Sequence, residues 1–417
     1  MASSLAFWFG TKNEHDDTYL NNIDTELHFN YWSLKSIQTS YLDVGVRLTS
    51  RQNALFKNVD NVKIFLPFKR NEIDFDLNLG ELVCDDKTLL AAIFNSHILS
   101  TRSEDGSGVL NVTLPDGEVF DFYTHIEEKC DDGMPGVDIR PFNDTKQPGT
   151  ILTIPTALIT RKRATCEPKK EKSFANQFKS SLSRTPDFSE KAISYFRFRV
   201  KLNRRENSIS TIFRPKASYI TSQFEETQIV DFRVNEARIL PLKIREQIQE
   251  ARRLTKIHFF LIREASAEYK AAHSEFKRCR ILESEIWDKY LGHKNDTEKQ
   301  PMLIYHWTKE GKYNKDAKKI DSIDHFAAFS KFSSTSVTDK KIVTMFLILI
   351  TFGVISGIIA NKLWSLMTDS QVEQGDKQTV SSLSQNSPYI PQSYFPVYGK
   401  YANDLVLCLP SKGGSDG

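Results

Sequence analysis

The chain has 417 residues, 40% of them hydrophobic, and its 28 Phe and 14 Tyr can fill sizeable cores, which excludes wholesale disorder. Its five cysteines are isolated and odd in number, a pattern that argues against a disulfide framework and favours a reducing compartment. The net charge of +3 is unevenly spread: residues 1–160 hold 13 Lys and Arg against 24 Asp and Glu, whereas residues 161–363 hold 40 against 24. An anionic partner is therefore expected for the basic part: a lipid surface, a nucleic acid or the acidic part itself.

Residues 1–160 have the pattern of a β-rich domain. Apolar residues alternate along 41–49, which predicts a half-buried strand. The segment 109–126 predicts a hairpin, because its two alternating runs flank the turn Pro115-Asp116-Gly117. One helix is predicted near 86–95. We expect a sandwich-like or α+β domain here.

Residues 161–192 are predicted to be a basic linker, since they are rich in Lys and Arg and poor in large apolar side chains. Beyond it, residues 193–335 predict a second, basic α+β domain. It would combine strands near 193–202, 227–239, 257–262 and 302–307 with a long helix at 265–291 and another helix at 320–332. The long helix between two strands suggests a β-α-β unit.

The strongest candidate binding motif is a run of cations that begins in the first strand of this second domain. Strand geometry places Arg197, Arg199 and Lys201 on one face, and Arg204 and Arg205 follow. Guanidinium groups bind phosphate oxygens well, so these five residues form a candidate anion-binding site. The alternative is a solvated sheet face whose cations pair with acidic side chains of a neighbouring strand, namely Asp231, Glu225 or Glu226.

Catalytic residues cannot be assigned from motifs. The sequence has no H-E-x-x-H, no phosphate-binding loop and no nucleophile elbow, so we expect neither a metal site nor a cofactor. One alternative is left open: His258 and His306 lie in two strands that would be neighbours, with Arg263 and Glu264 at the end of the first. A dispersed hydrolase or nuclease site within 257–307 would use these groups.

The run from Ile342 to Ala360 contains nineteen residues without a charge. As a helix it would be about 28 Å long, close to the thickness of a bilayer core, so a transmembrane helix is predicted at 341–363. The expected orientation places the N-terminal bulk in the cytoplasm and a mostly extended tail, 364–417, outside. Gly353 and Gly357 form a G-x-x-x-G motif, which suggests self-association of this helix.

Taken together, these features predict an α+β protein: a β-rich domain, a second domain with a long helix, and one C-terminal transmembrane helix. The leading functional expectation is a membrane-anchored binding, sensing or adaptor module that acts through protein partners, as in a stress or defence system. The alternatives are the membrane-tethered hydrolase or nuclease and a structural subunit of a membrane complex.

Overall fold

The computed structural model describes the chain in segments. These are residues 3–11, 20, 22–35, 39–50, 59–104, 108–129, 135–160, 192–213, 225–251, 253–272, 274–292, 301–315, 319–335 and 339–372. The predicted linker 161–192 lies almost wholly outside the described residues, as does the tail beyond residue 372. Two compact units are present, Met1–Thr338 and Asp339–Gly417.

Strands dominate the first unit. They are β1 (Ala6–Thr11), β2 (Ile23–Trp32), β3 (Ser40–Ser50), β4 (Val59–Leu66), β5 (Ile73–Asp76), β6 (Ser100–Glu104), β7 (Val109–Thr113), β8 (Val119–Tyr123), β9 (Asp138–Phe142), β10 (Gly149–Pro155), β11 (Ala192–Leu202), β12 (Ser210–Phe213), β13 (Glu225–Val234), β14 (Lys256–Glu264), β15 (Glu268–Ala272), β16 (Arg278–Leu282), β17 (Met302–Glu310), β18 (Tyr313–Asn314), β19 (Lys319–Ile320) and β20 (Phe326–Thr335). The helices are α1 (Leu79–Cys84), α2 (Lys87–Phe94), α3 (Leu242–Ala251), α4 (Ser284–Leu291) and, in the second unit, α5 (Asp339–Val372).

A ten-stranded sheet is the centre of the first unit. Its order is β16-β17-β14-β2-β3-β11-β8-β7-β6, and β5 also pairs with β11. Most neighbours are antiparallel, but β14 runs parallel to β2 and β8 runs parallel to β11. These two parallel pairings join strands from distant parts of the chain, so sequence neighbours alone do not define the sheet.

Two four-stranded sheets, β1-β4-β10-β9 and β12-β13-β20-β15, share one apolar core with the ten-stranded sheet. In that core Phe232 of β13 stacks on Phe259 of β14, with ring centroids 4.1 Å apart, and also contacts Phe29 of β2. The opposite face of the large sheet packs on α1, α2 and α4 through a second core, in which Trp32 contacts Trp287. The central strands are therefore buried on both faces.

Several local predictions are confirmed. The predicted hairpin is β7–β8, where Leu110 pairs with Phe122 and Val112 with Phe120, and Gly117 takes the left-handed conformation with φ of 84°. The predicted helix near 86–95 is α2, and the side chain of Asp86 caps it by accepting the Thr88 amide. The mixed α+β class is also confirmed, since 25% of the described residues are helical and 49% are in strands.

The predicted division into domains 1–160 and 193–335 does not match the structure. Strands β2, β3 and β8 from the first segment alternate with β11 and β14 from the second in one sheet. Both segments carry apolar faces that are incomplete alone, and they bury them against each other. The composition of 161–192 marks a change in local polarity, not a boundary between separate cores.

The long helix predicted at 265–291 is wrong. This segment contains β15, β16 and the short helix α4. Its aromatic side chains recur at the spacing of a helix, but they belong to separate parts of the fold. Tyr269 and Phe276 both pack on Tyr305 of β17. Strands β14 and β17 pair antiparallel, so the predicted β-α-β unit is not formed.

The helix predicted at 320–332 is also wrong, because most of this segment belongs to β20. The buried positions along β20 follow a strict period of two: Phe326, Ala328, Ser330, Phe332 and Ser334. Ser330 interrupts the apolar pattern in the sequence and so hides this period. Its side chain is nevertheless as buried as those of Ala328 and Phe332 on the same face of the strand.

The second unit contains α5, a single helix of 34 residues. Its segment Ile342–Thr368 is long and apolar enough to cross a membrane, and its large apolar side chains are exposed. At 1.5 Å per residue its 27 residues extend about 40 Å, more than a bilayer core requires. Among the residues that the structure describes, there is thus one candidate transmembrane helix, and it lies near the C-terminus.

Candidate functional site

Three adjacent strands of the large sheet bring together Glu26, His28, His258 and His306, which we call the histidine–glutamate cluster. Glu26 and His28 are two residues apart on β2, so their side chains lie on the same face. Parallel pairing places His258 of β14 directly beside His28, and β17 places His306 next to His258. All four are buried or half-buried.

The four side chains form a continuous hydrogen-bonded chain. His258 Nε2 lies 2.9 Å from Glu26 Oε1, and His28 Nε2 lies 3.1 Å from the same oxygen. On the other side of its ring, His258 Nδ1 lies 2.9 Å from His306 Nε2. Two imidazoles thus converge on one carboxylate oxygen, and a third imidazole contacts one of them.

The hydrogen-bond partners define the tautomers of neutral rings. An ionised carboxylate only accepts hydrogen bonds, so His28 and His258 both carry their proton on Nε2. His258 Nδ1 is then an acceptor, and His306 donates a hydrogen bond to it from Nε2–H. This one arrangement satisfies the three hydrogen bonds among the four side chains.

Electrostatics favour the ionised carboxylate of Glu26 and the neutral rings of His28 and His306. Burial alone would raise the pKa of Glu26, but hydrogen bonds from His258 and His28 outweigh burial and hold that pKa far below its usual range. Burial lowers the pKa of His28 despite its bond to Glu26. Burial lowers the pKa of His306 to about 3, and the neighbouring His258 and Lys277 act in the same direction.

Two cations orient the carboxylate of Glu26. Arg47 of β3 places Nη1 3.4 Å from the second oxygen, Oε2, and also contacts Glu118. Lys256 approaches Oε1 at 3.8 Å, and about a third of its side chain is exposed. Arg47 therefore holds Oε2 while Oε1 faces the histidines.

A second buried polar group lies on the same face, further along the strands. It consists of Asp43, Arg197, Arg199 and Tyr290, which we call the arginine–aspartate cluster. Arg199 Nε donates to Asp43 Oδ1 at 2.6 Å, and the Tyr290 hydroxyl donates to Oδ2 at 2.7 Å. Arg197 donates to the Tyr290 hydroxyl at 2.9 Å. This group joins β3, β11 and α4 in the interior.

Tyr195 lies between the two clusters. Its hydroxyl accepts a hydrogen bond from Arg197, and its ring contacts His28 with centroids 5.8 Å apart. The tyrosine fits because residue 45 is glycine: a Cβ there would lie 2.3 Å from the Tyr195 hydroxyl oxygen. Gly45 thus permits the close packing that connects the two clusters.

The structure does not place the five predicted anion-binding residues on one surface. Arg197 and Arg199 are 1% and 4% exposed, because α4 covers the face that was expected to meet water. Lys201 and Arg204 are exposed, and Arg205 pairs with Glu226 at 3.0 Å. The pairing of Arg205 agrees with the alternative in which these cations meet acidic partners.

His258 and His306 lie on neighbouring strands, as expected, and their rings are hydrogen-bonded to each other, but the carboxylate beside them is not that of Glu264. The carboxylate comes from Glu26, far away in the sequence, and His28 joins it. These two residues were missed because Glu-x-His on a strand matches no known metal motif. Their spacing of two, which places both on one face of a strand, was the only signal in the sequence.

The remaining predicted residues, Gly353 and Gly357, lie on α5. A Cβ added at either position meets no described atom within 4 Å. A surface depression of about 700 Å³, lined by residues that include Lys69, Arg70 and Phe142, shares no residue with either cluster.

No protein-family model matches the chain, and no curated protein matches it.

Proposed function

We propose that this protein is a membrane-anchored binding module that holds its ligand at the histidine–glutamate cluster. The observation that carries the proposal is the convergence of two imidazoles, those of His28 and His258, on the partly accessible carboxylate of Glu26, with His306 of β17 in contact with His258. Side chains of these types bind protons, metals and polar ligands. A cluster of this kind, 11–18% exposed at His28, His258 and Glu26, suits a bound ligand better than a purely apolar interior does.

The membrane part of the proposal rests on α5. A charge at the centre of a membrane helix costs about 2.5–3.5 kcal/mol, and the nineteen uncharged residues of Ile342–Ala360 avoid this cost. We propose that Met1–Thr338 lies in the cytoplasm and that residues after α5 lie outside. Such a layout suits a sensor or adaptor that reports to protein partners at the membrane, as in stress or defence.

Two partner proposals extend the function. Self-association through Gly353 and Gly357 would hold several modules side by side. An anionic lipid or nucleic acid remains a proposed partner of the basic segment 193–335, through exposed cations such as Lys201 and Arg204. Arg197 and Arg199 are not offered for this role, because both are buried against Asp43.

A second candidate function is a membrane-tethered hydrolase. The contact between His258 and His306 favours it, since paired histidines beside a carboxylate can transfer protons. Its site would include Glu26 and His28 and so extend beyond 257–307. A structural subunit of a membrane complex is a third possibility, and it would not require the cluster to bind anything.

The test uses the full-length chain expressed in cells. Membranes are washed with alkaline carbonate, solubilised in mild detergent, and the affinity-purified protein is examined by mass spectrometry for bound proteins, lipids and nucleic acids. We expect the protein to stay in the washed membranes. At least one partner should co-purify with the native chain and be absent from the His258→Ala sample. Release by carbonate, or a partner set unchanged by His258→Ala and by Glu26→Gln, would contradict the proposal.

A further inference from the structure

We propose that Glu26, His28 and His258 bind a divalent transition-metal ion of the zinc class. The inference rests on the proposed function, since it names the ligand of the same site. One ligand atom from each residue, Oε1 of Glu26 and a ring nitrogen from each histidine, lies within 4.8 Å of the other two. No sequence motif marks this site, because its ligands come from two strands that are separated by more than two hundred residues.

The distances suit a small metal ion. Zinc binds imidazole nitrogen and carboxylate oxygen at about 2.0–2.2 Å, so tetrahedral ligands are separated by about 3.3–3.6 Å. Here Glu26 Oε1 lies 2.9 Å from His258 Nε2 and 3.1 Å from His28 Nε2. Side-chain movements of a few tenths of an ångström would open this arrangement around an ion.

The donor set selects the class of metal. Two imidazoles and one carboxylate are preferred by zinc and neighbouring transition metals, whereas calcium and magnesium favour oxygen ligands alone. Three protein ligands also leave a fourth position, which a water molecule or a partner's side chain can fill. Such a site would allow the metal to bridge the module to what it binds.

The surrounding residues provide the outer contacts that metal sites require. When His258 gives its Nε2 lone pair to the metal, its proton moves to Nδ1. His306 then carries its own proton on Nδ1, so that its Nε2 accepts a hydrogen bond from His258 Nδ1 at the observed 2.9 Å. His306 thus acts as a positioning residue. Arg47 holds Glu26 Oε2 and leaves Oε1 for the ion, and the contact of Arg47 with Glu118 offsets the guanidinium charge.

Within the described segments, Lys256 is the cationic side chain that would compete with a metal ion for Glu26 Oε1. Its Nζ lies 3.8 Å from that oxygen and 3.9 Å from Glu310, so it has a second carboxylate to pair with. The lysine side chain is long and partly exposed, and it can turn towards Glu310 when an ion occupies the site. Metal binding therefore requires no unpaired buried charge.

The experiment titrates Zn²⁺ into the full-length, detergent-solubilised protein after treatment with a chelator, using isothermal titration calorimetry. We expect one ion per chain. The ligand variants Glu26→Gln, His28→Ala and His258→Ala should lose affinity by at least about 100-fold, and His306→Phe by about 10–100-fold. His97→Ala, which removes an exposed histidine outside the cluster, should bind like the native chain.

Co²⁺ provides a readout that does not depend on variants folding correctly. Native protein loaded with Co²⁺ should show the visible absorption of a four- or five-coordinate site, and Zn²⁺ should displace it. The metal site would be overturned if the native chain binds neither ion. It would also be overturned if His258→Ala binds both ions as tightly as the native chain does. The cluster would then be a hydrogen-bonded group and nothing more.

The two proposals fail in different ways. The metal site alone would be overturned if the protein stays in carbonate-washed membranes and recovers partners through the cluster, yet binds neither Zn²⁺ nor Co²⁺. Stoichiometric Zn²⁺ binding by a chain that carbonate releases from membranes would support the metal site and overturn the membrane-anchored function.

Discussion

The buried carboxylate of Asp43 provides the sharpest test of how the fold is held together. It is fully buried, it accepts hydrogen bonds from Arg199, Tyr290 and Trp32, and Arg197 Nη2 lies 3.6 Å away. We predict that Asp43→Asn, which keeps the shape and removes the charge, will leave two guanidinium groups in the interior with no counter-ion. Removing one partner of a buried ion pair costs about 3–5 kcal/mol.

A loss of that size is a large fraction of the total stability of a folded protein, which is commonly about 5–15 kcal/mol. The measurement is urea unfolding of the full-length protein in detergent, followed by tryptophan fluorescence, since Trp32 and Trp287 lie in the same core as the cluster. The midpoint should fall strongly while the slope stays unchanged.

The matched control is Asp74→Asn. Asp74 is an exposed aspartate on β5 whose strand partner is the exposed Lys201, so its neutralisation should change stability by less than about 0.5 kcal/mol. If Asp43→Asn and Asp74→Asn lower the midpoint equally, the buried pair does not stabilise the fold and our interpretation of β11 is wrong.

The pH dependence gives a second check on Asp43. Burial opposes ionisation, but the charge and hydrogen bonds of Arg199 outweigh it and hold the pKa of Asp43 below its ordinary value of 3.8. Because the folded-state pKa is lowered, the contribution of the carboxylate is present above 3.8 and is lost as pH falls through the folded value. The stability difference between the native chain and Asp43→Asn should therefore be constant near neutral pH and shrink only in strong acid.

Three further predictions concern topology, assembly and packing. A membrane-impermeant thiol reagent should label Cys408 in intact cells and reach the exposed Cys279 only after permeabilisation; the reverse pattern would invert the proposed orientation. Crosslinking in membranes should give oligomers for the native chain and fewer for the double variant Gly353→Ile, Gly357→Ile, and equal yields would leave α5 as an anchor only. Gly45→Val should destabilise the fold by about 1–3 kcal/mol through its clash with the Tyr195 hydroxyl, and by less in a Tyr195→Phe background; an equal cost in both would refute that contact.

Local features of the fold could be predicted where the pattern and the chemistry agree over a short segment. The hairpin of β7 and β8 was predicted because its alternation and its Pro115-Asp116-Gly117 turn specify the same structure. Helix α2 was predicted for a similar reason, with Asp86 as its cap. In both cases every interaction that defines the element lies within about eighteen residues.

The sheet and the candidate site could not be predicted because they depend on pairings between distant segments. The strand β11 has the alternation of a half-exposed strand, yet α4, about ninety residues later, covers its polar face and provides Tyr290 as a partner. Glu26 meets His258 only because β2 and β14 pair in parallel. Neither contact leaves a periodic signal in the sequence.

The central claim is that the histidine–glutamate cluster is a metal-binding site, and anomalous diffraction tests it most directly. Crystals of the full-length protein grown with Zn²⁺ would be measured on both sides of the zinc absorption edge. We predict one anomalous peak about 2 Å from Glu26 Oε1, His28 Nε2 and His258 Nε2. A structure in which these three side chains keep their hydrogen bonds and the zinc peak is absent or lies elsewhere would contradict the account.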